Sequence, residues 1–389
     1  MPTTGGATMS LWTQPVGAFG IPLYTEETPI PNAQMSFPYS VNPAVASSVT
    51  ANGGTITQAS GKAVLQTSAN VAGSAILSSL AAARYTPGQG QACKFTAIFS
   101  PGVAGSRQEI GIGNASDGFF FGYQGETFGI ILRRGGVDTL IPQTAWNGEV
   151  PVGFTPLVNA QVYTIRYQWL GFGASYYYVE QPSSGRSWLV HTIQYAGTSS
   201  IPSVLNPSLP LWARVVNVGN AGNLTLQTAS MGAYCEGPLN QYGPRFATGN
   251  RKSAITAETS IVTLRNDLTV FGGPANNNRT RVRIDFVSSA LAGAADGQLR
   301  GLLNATLGGV PAFAQLSAAE SVCSVDVAGT TVTGGREVFR IPSSGNAQQY
   351  QDISSMNLRL NPGDILTVAG SSFGAGIACN AGLAWVEES

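Results

Sequence analysis

The sequence predicts an all-β protein: two sandwich domains behind an extended N-terminal arm. Three observations lead there. Apolar residues alternate with period two in short runs, turn formers separate those runs, and no heptad or helical repeat appears. The chain has 389 residues, enough for two domains, and its 43% hydrophobic content suffices to bury a core in each. Charged residues make up 10% of it, well under the roughly 25% of an average soluble domain. The 20 Lys+Arg balance 20 Asp+Glu, so long-range attraction to phosphate is missing. Nucleic acid is thereby excluded as an expected partner, and self-association is favoured over repulsion.

Residues 1–50 form the expected arm. They carry Pro2, Pro15, Pro22, Pro29, Pro31, Pro38 and Pro43, which delete ladder donors and block helix, so neither helix nor sheet is predicted there. Leu11, Trp12, Phe19, Ile21, Leu23, Tyr24, Phe37 and Tyr39 are scattered along it. Such side chains are unfavourable on a free linker in water, so the arm is expected to anchor on a partner protein.

Residues 51–238 read as the first sandwich. Lys94–Ser100 is strand-like, and Gly118–Ile141 divides into three strands at Gln124-Gly125-Glu126 and Arg134-Gly135-Gly136, both fitting hairpin turns. In Val162–Leu170, Tyr163, Ile165, Tyr167 and Trp169 share one face, the mark of a half-buried strand. Tyr176–Glu180 and Trp188–Tyr195 follow, joined by Pro182-Ser183-Ser184-Gly185. Gly, Pro, Asn and Gln cluster from Gly237 to Asn250, placing a boundary there and a second domain over residues 239–389. In it Arg281, Arg283 and Asp285 alternate with Val282, Ile284 and Phe286, giving a strand with one wet face. Leu291–Leu307 is Ala/Leu-rich but broken by Gly293, Gly297 and Gly301, which allows at most a short helix. Val322–Val327, Val338–Ile341, Ile365–Ala369 and Ile377–Val386 are strands, and Asn361-Pro362-Gly363-Asp364 suits a type II turn.

Little in the sequence points to chemistry. One histidine, His191, is too few for most triads and many zinc sites, and on an alternating strand it reads as a satisfied strand residue. Cys93, Cys235, Cys323 and Cys379 lie too far apart for a CxxC pair and read as buried thiols. Gly111-Ile112-Gly113 lacks the third glycine of a dinucleotide fingerprint, and no phosphate-binding Gly-Lys-Ser/Thr occurs, so no cofactor is expected. Asp117 and Glu126 are the nearest carboxylate pair that glycoside hydrolysis would need, yet both sit beside strand-end glycines where carboxylates commonly solvate a turn. A sugar site of ring face and amide or carboxylate groups would draw on Asp117, Tyr123, Trp146 and Asn147. No Lys or Arg precedes Lys62, so a signal peptide lacks its basic region, and no apolar run approaches membrane-spanning length. Synthesis in a cytoplasm and no membrane partner are expected.

The stretch Asp117-Gly118-Phe119-Phe120-Phe121-Gly122-Tyr123-Gln124-Gly125-Glu126-Thr127-Phe128-Gly129-Ile130, continuing to Arg133, resembles a segment of structural proteins of tailed bacteriophages and large DNA viruses. In that class the meander belongs to a concanavalin-like sandwich, and a C-terminal β-domain ends much as Leu383-Ala384-Trp385-Val386-Glu387-Glu388 does. The Asn361–Asp364 turn before Ile365-Leu366-Thr367-Val368 is similar to one in trimeric jelly-roll heads. The resemblance spans about residues 90–200 and 335–389 and carries over no functional residue. It implies concanavalin-like and jelly-roll-like sandwiches in a non-enzymatic virion protein, a fibre or capsid decoration, without catalytic, metal or cofactor residues. Such a protein is made in the host cytoplasm, assembles as a homo-oligomer, a trimer, and meets capsid, neck or tail proteins through residues 1–50. The alternative is a host-glycan-binding protein using Asp117, Tyr123, Trp146 and Asn147; a glycan-cleaving enzyme ranks behind it.

Overall fold

The computed structural model describes residues 30–85, 89–157, 159–168, 173–181, 183–195, 197–198, 200–236, 243–269, 278 and 280–388. The chain divides into two compact units, Met1–Asn240 and Gln241–Ser389. Among the described residues, strands do nearly all the work, and the helical turns are two short 3₁₀ segments, Gln143–Ala145 and Ser354–Met356.

The first unit opens with β1 (Ile30–Ser36), β2 (Ala46–Ala51), β3 (Thr55–Ala59), β4 (Lys62–Gln66) and β5 (Ser74–Ala83). It continues through β6 (Gln91–Phe99), β7 (Ser106–Gly113), β8 (Gly118–Gln124), β9 (Thr127–Arg134) and β10 (Val137–Pro142). β11 (Gln161–Tyr167), β12 (Ser175–Glu180), β13 (Ser187–Ile193), β14 (Leu209–Asn217), β15 (Thr225–Thr228) and β16 (Ser230–Cys235) complete it. A nine-stranded sheet runs β13-β12-β11-β6-β15-β4-β3, with β16 beside the rest of β6 and β1 outside β16. A seven-stranded sheet runs β10-β9-β8-β7-β14-β5-β2. Period-two alternation sends Phe119 and Phe121 of β8 inward to meet Tyr163 and Tyr167 of β11; Phe121 and Tyr163 lie 4.8 Å apart and Phe119 stacks on Tyr167 at 4.7 Å. These aromatic pairs join two sheets into one core, which is what makes the unit a sandwich.

Residues 30–51 correct the expectation of an arm reaching to residue 50. β1 and β2 are sheet strands, and Phe37 is 1% exposed in the first core. Pro31 is accommodated because β1 is an edge strand, paired on one side only, and its register shifts between Pro31 and Ala33. Tyr39, by contrast, is 90% exposed. Leu11, Trp12, Phe19, Ile21, Leu23 and Tyr24 lie outside the described residues.

The second unit contains β17 (Arg245–Ile255), β18 (Thr259–Asn266), β19 (Arg281–Ala292), β20 (Gly297–Leu303), β21 (Thr306–Leu307), β22 (Ala314–Gln315) and β23 (Cys323–Asp326). β24 (Val332–Thr333), β25 (Arg336–Ser343), β26 (Gln348–Asp352), β27 (Arg359–Leu360), β28 (Ile365–Ser372) and β29 (Ile377–Glu388) follow. Its long strands, taken in chain order as β17, β18, β19, β20, β25, β26, β28 and β29, alternate between two sheets except at β20 and β25, which pair with each other in one sheet. One sheet orders them β17-β29-β19-β26 and the other β18-β28-β20-β25, with β23 and β22 added beside β18. The first strand therefore lies next to the eighth, and the second next to the seventh, which is jelly-roll connectivity. Trp385, Ile284, Leu299 and Val368 belong to the core between these sheets.

Leu291–Leu307 forms no helix; it carries the end of β19, then β20 and β21 with turns between them. Tertiary pairing overrides Ala/Leu propensity: β20 is hydrogen-bonded on both sides, to β25 and β28, and the Phe339 ring lies where a Cβ on Gly301 would stand, 2.2 Å from it. The alternation expected through Phe286 also fails. A register shift between Ile284 and Phe286 turns Phe286 outward, where it stacks on Tyr350 at 6.1 Å. The turn at Asn361–Asp364 forms as expected, with the Asp364 N–H donating to the Asn361 carbonyl at 2.9 Å and Gly363 at φ 93°.

Candidate functional site

The structure does not bring Asp117, Tyr123, Trp146 and Asn147 together as one surface site, and each has internal work. Asp117, 2% exposed, sits in the β7–β8 turn and accepts the Leu205 N–H at 2.9 Å and the Gly135 N–H at 3.3 Å, pinning two loops. Tyr123 lies at the far end of β8 and is 7% exposed, tilted against Phe128 at 5.1 Å. Trp146 packs edge-on to Phe121 at 5.9 Å, and its Nε1–H donates to the Ile141 carbonyl at 3.3 Å. Asn147 mimics a strand: its amide donates to the Thr192 carbonyl at 2.9 Å and accepts the Thr192 N–H at 2.8 Å. Its backbone N–H donates to Nδ1 of His191 at 3.1 Å, so the histidine is a satisfied strand residue whose burial holds its pKa down.

The Asp117–Glu126 pair is not assembled either. The seven residues of β8 stand between them, a span of about 23 Å, far beyond the 5–9.5 Å or so that glycosidic chemistry uses. Among the described residues, no group of three or more His, Cys, Asp or Glu is placed to hold a metal ion. The cysteines are free and buried. Burial pushes the Cys379 thiol up to about 12 and the Cys93 thiol higher still, away from nucleophilic use.

The sequence reading missed an ionic cluster on the outer face of the seven-stranded sheet. Glu109, fully buried, takes a bidentate contact from Arg133 at 2.9 and 2.7 Å, the Trp212 Nε1–H at 2.9 Å and Arg214 at 3.2 Å. Arg133 also reaches Asp138 at 2.7 Å and lies 5.0 Å over the Phe120 ring. Burial pulls the Arg133 pKa down, and its bonds to Glu109 and Asp138 more than reverse this, leaving it above the ordinary value. A charge inside the run Gln108-Glu109-Ile110-Gly111 was the available signal; its partners, from β9, β10 and β14, become visible only with register. Every carboxylate in this cluster faces guanidinium groups, which suits structure rather than proton transfer.

No protein-family model matches the chain, and no curated protein matches it. Among solved structures it is similar to the carbohydrate recognition domain of Emp46p in its metal-free form, at 10% identity, 54% of this chain and 97% of that one, TM-score 0.34. It is also similar to lectin II from Ulex europaeus, at 13% identity over 53% and 99% of the two chains, TM-score 0.31. A glycoside hydrolase family protein from Mycobacterium thermorestibile matches at 13% identity over 52% and 99%, TM-score 0.35. At these values the likeness is one of β-rich fold, and no residue role follows from it.

Proposed function

We propose that this chain is a non-enzymatic structural protein of a virus particle, a fibre or capsid-decorating component that self-associates as a trimer. It is made in the host cytoplasm and located on the virion. The observation that carries this reading is the jelly-roll connectivity of the second unit, an architecture that viral capsid and lectin domains use, in a chain whose residues 90–200 and 335–389 also resemble virion proteins in sequence. The charge balance supports it, because subunits at zero net charge pack closely without mutual repulsion. The buried carboxylates Glu109, Asp117 and Asp138 are engaged in ion pairs or backbone hydrogen bonds, which favours scaffolding over catalysis.

The anchoring role moves to residues 1–29, since residues 30–51 build sheet. Leu11, Trp12, Phe19, Ile21, Leu23 and Tyr24 supply its apolar groups, each fully buried one contributing about 1.5–3 kcal/mol before ordering costs. Deletion of residues 1–29 tests the reading: the shortened chain should melt as the full chain does yet fail to join particles. Incorporation at full occupancy would overturn the anchor, and particles that never contain the intact chain would overturn the virion assignment.

A further inference from the structure

The outer face of the nine-stranded sheet carries a pocket of about 580 Å³, within the range of roughly 300–1,000 Å³ typical of small-ligand sites. Its floor is one cross-strand row, Gln34 of β1, Gly232 of β16 and Lys94 of β6, paired directly by register. Asn42 and Val45, from the loop joining β1 to β2, form a wall.

Gly232 gives the row its shape. A Cβ there would stand 2.6 Å from the Tyr234 hydroxyl and 2.9 Å from two ring carbons, so the Tyr234 ring lies over the glycine, occupying the space a side chain would fill. The phenol hydroxyl is thereby set between Gln34 and Lys94. Neither that hydroxyl nor the Gln34 amide is hydrogen-bonded to any described residue. Asn42 uses its carbonyl oxygen to accept the Ala44 N–H at 2.9 Å, and its amide N–H groups donate to no described residue. Lys94 pairs with Glu180 at 2.8 Å, which cancels its charge locally while leaving both partners hydrogen-bonding capacity.

We propose that this pocket binds a neutral saccharide unit. An aromatic ring laid along a sheet offers a face to sugar C–H groups, and the surrounding amides, hydroxyl and Lys–Glu pair offer donors and acceptors for sugar hydroxyls without net charge. The site is distinct from the Asp117, Tyr123, Trp146 and Asn147 positions, and it stands whether or not the chain belongs to a virus particle.

The test is a printed array of neutral and acidic oligosaccharides probed with the full chain. Binding to neutral glucose-, galactose-, mannose- or N-acetylhexosamine-containing spots is expected. Tyr234→Ala should lower it about tenfold, and Gly232→Val should do the same by displacing the ring. Gln34 is an exposed edge-strand residue, so Gln34→Ala should weaken binding several-fold while thermal melting stays unchanged, and Tyr350→Ala in the other unit should leave binding intact. Blank arrays, binding confined to acidic glycans, or binding indifferent to both Gln34→Ala and Tyr234→Ala would overturn the proposal.

Discussion

At the scale of single residues, the Glu109–Arg133 pair shows how a charge survives inside this sheet. Removing a buried ion from water costs several kcal/mol, and the cost is offset here because both carboxylate oxygens and the guanidinium fork are matched at hydrogen-bond distance. Breaking one side leaves the other charge poorly compensated. Arg133→Met should therefore destabilise the first unit by about 3–5 kcal/mol, read as a lower denaturant midpoint at unchanged slope. Arg107 also pairs with Asp138, and a loss below about 1 kcal/mol would mean that Arg107 on Asp138 and Arg214 on Glu109 already neutralise the two carboxylates by themselves.

At the scale of elements, the segment after β10 is held to β13 by Asn147 and His191 rather than by a regular ladder. The Nδ1 lone pair of His191 accepts a backbone N–H, and protonation abolishes that acceptor. Burial lowers the histidine's folded-state pKa beneath its unfolded value of about 6.5, so the unfolded chain binds the proton more readily. The contribution of this latch is therefore fully present above that value and is lost as pH falls toward the folded-state pKa. His191→Gln retains an acceptor that does not titrate. Thermal melting of wild type and variant at pH 7 and pH 5 should show a smaller fall for the variant, and equal falls would dismiss the histidine as the cause.

At the scale of the whole molecule, the two units have separate cores, one built on the Phe121–Tyr163 contact and the other around Trp385. Each core is closed by strands of its own unit, and among the described residues no strand of one unit joins a sheet of the other. A chain of residues 243–389 alone should then fold, giving a cooperative melt and near-ultraviolet dichroism from Trp385. A molten product lacking both would show that the jelly roll depends on the preceding residues.

Much of this architecture was legible from local pattern. Alternation over Val162–Tyr167, the strand part of the Val162–Leu170 run (Trp169 and Leu170 lie outside the described residues), and the Gly-centred turns at Gly125, Gly135 and Gly363 specify strands and hairpins, because side-chain direction in a strand has period two and positive φ selects glycine. The cysteines and His191 were also readable, since a lone small or amphipathic residue in an apolar strand is normally buried and satisfied. What the sequence could not supply was register. Whether Pro31 belongs to an arm or to an edge strand, whether Phe286 points in or out, and which groups sit beside Gly232 all depend on which strand lies opposite. Pairing of that kind joins residues far apart along the chain, such as Gln34 with Gly232, and only the folded sheet places them side by side.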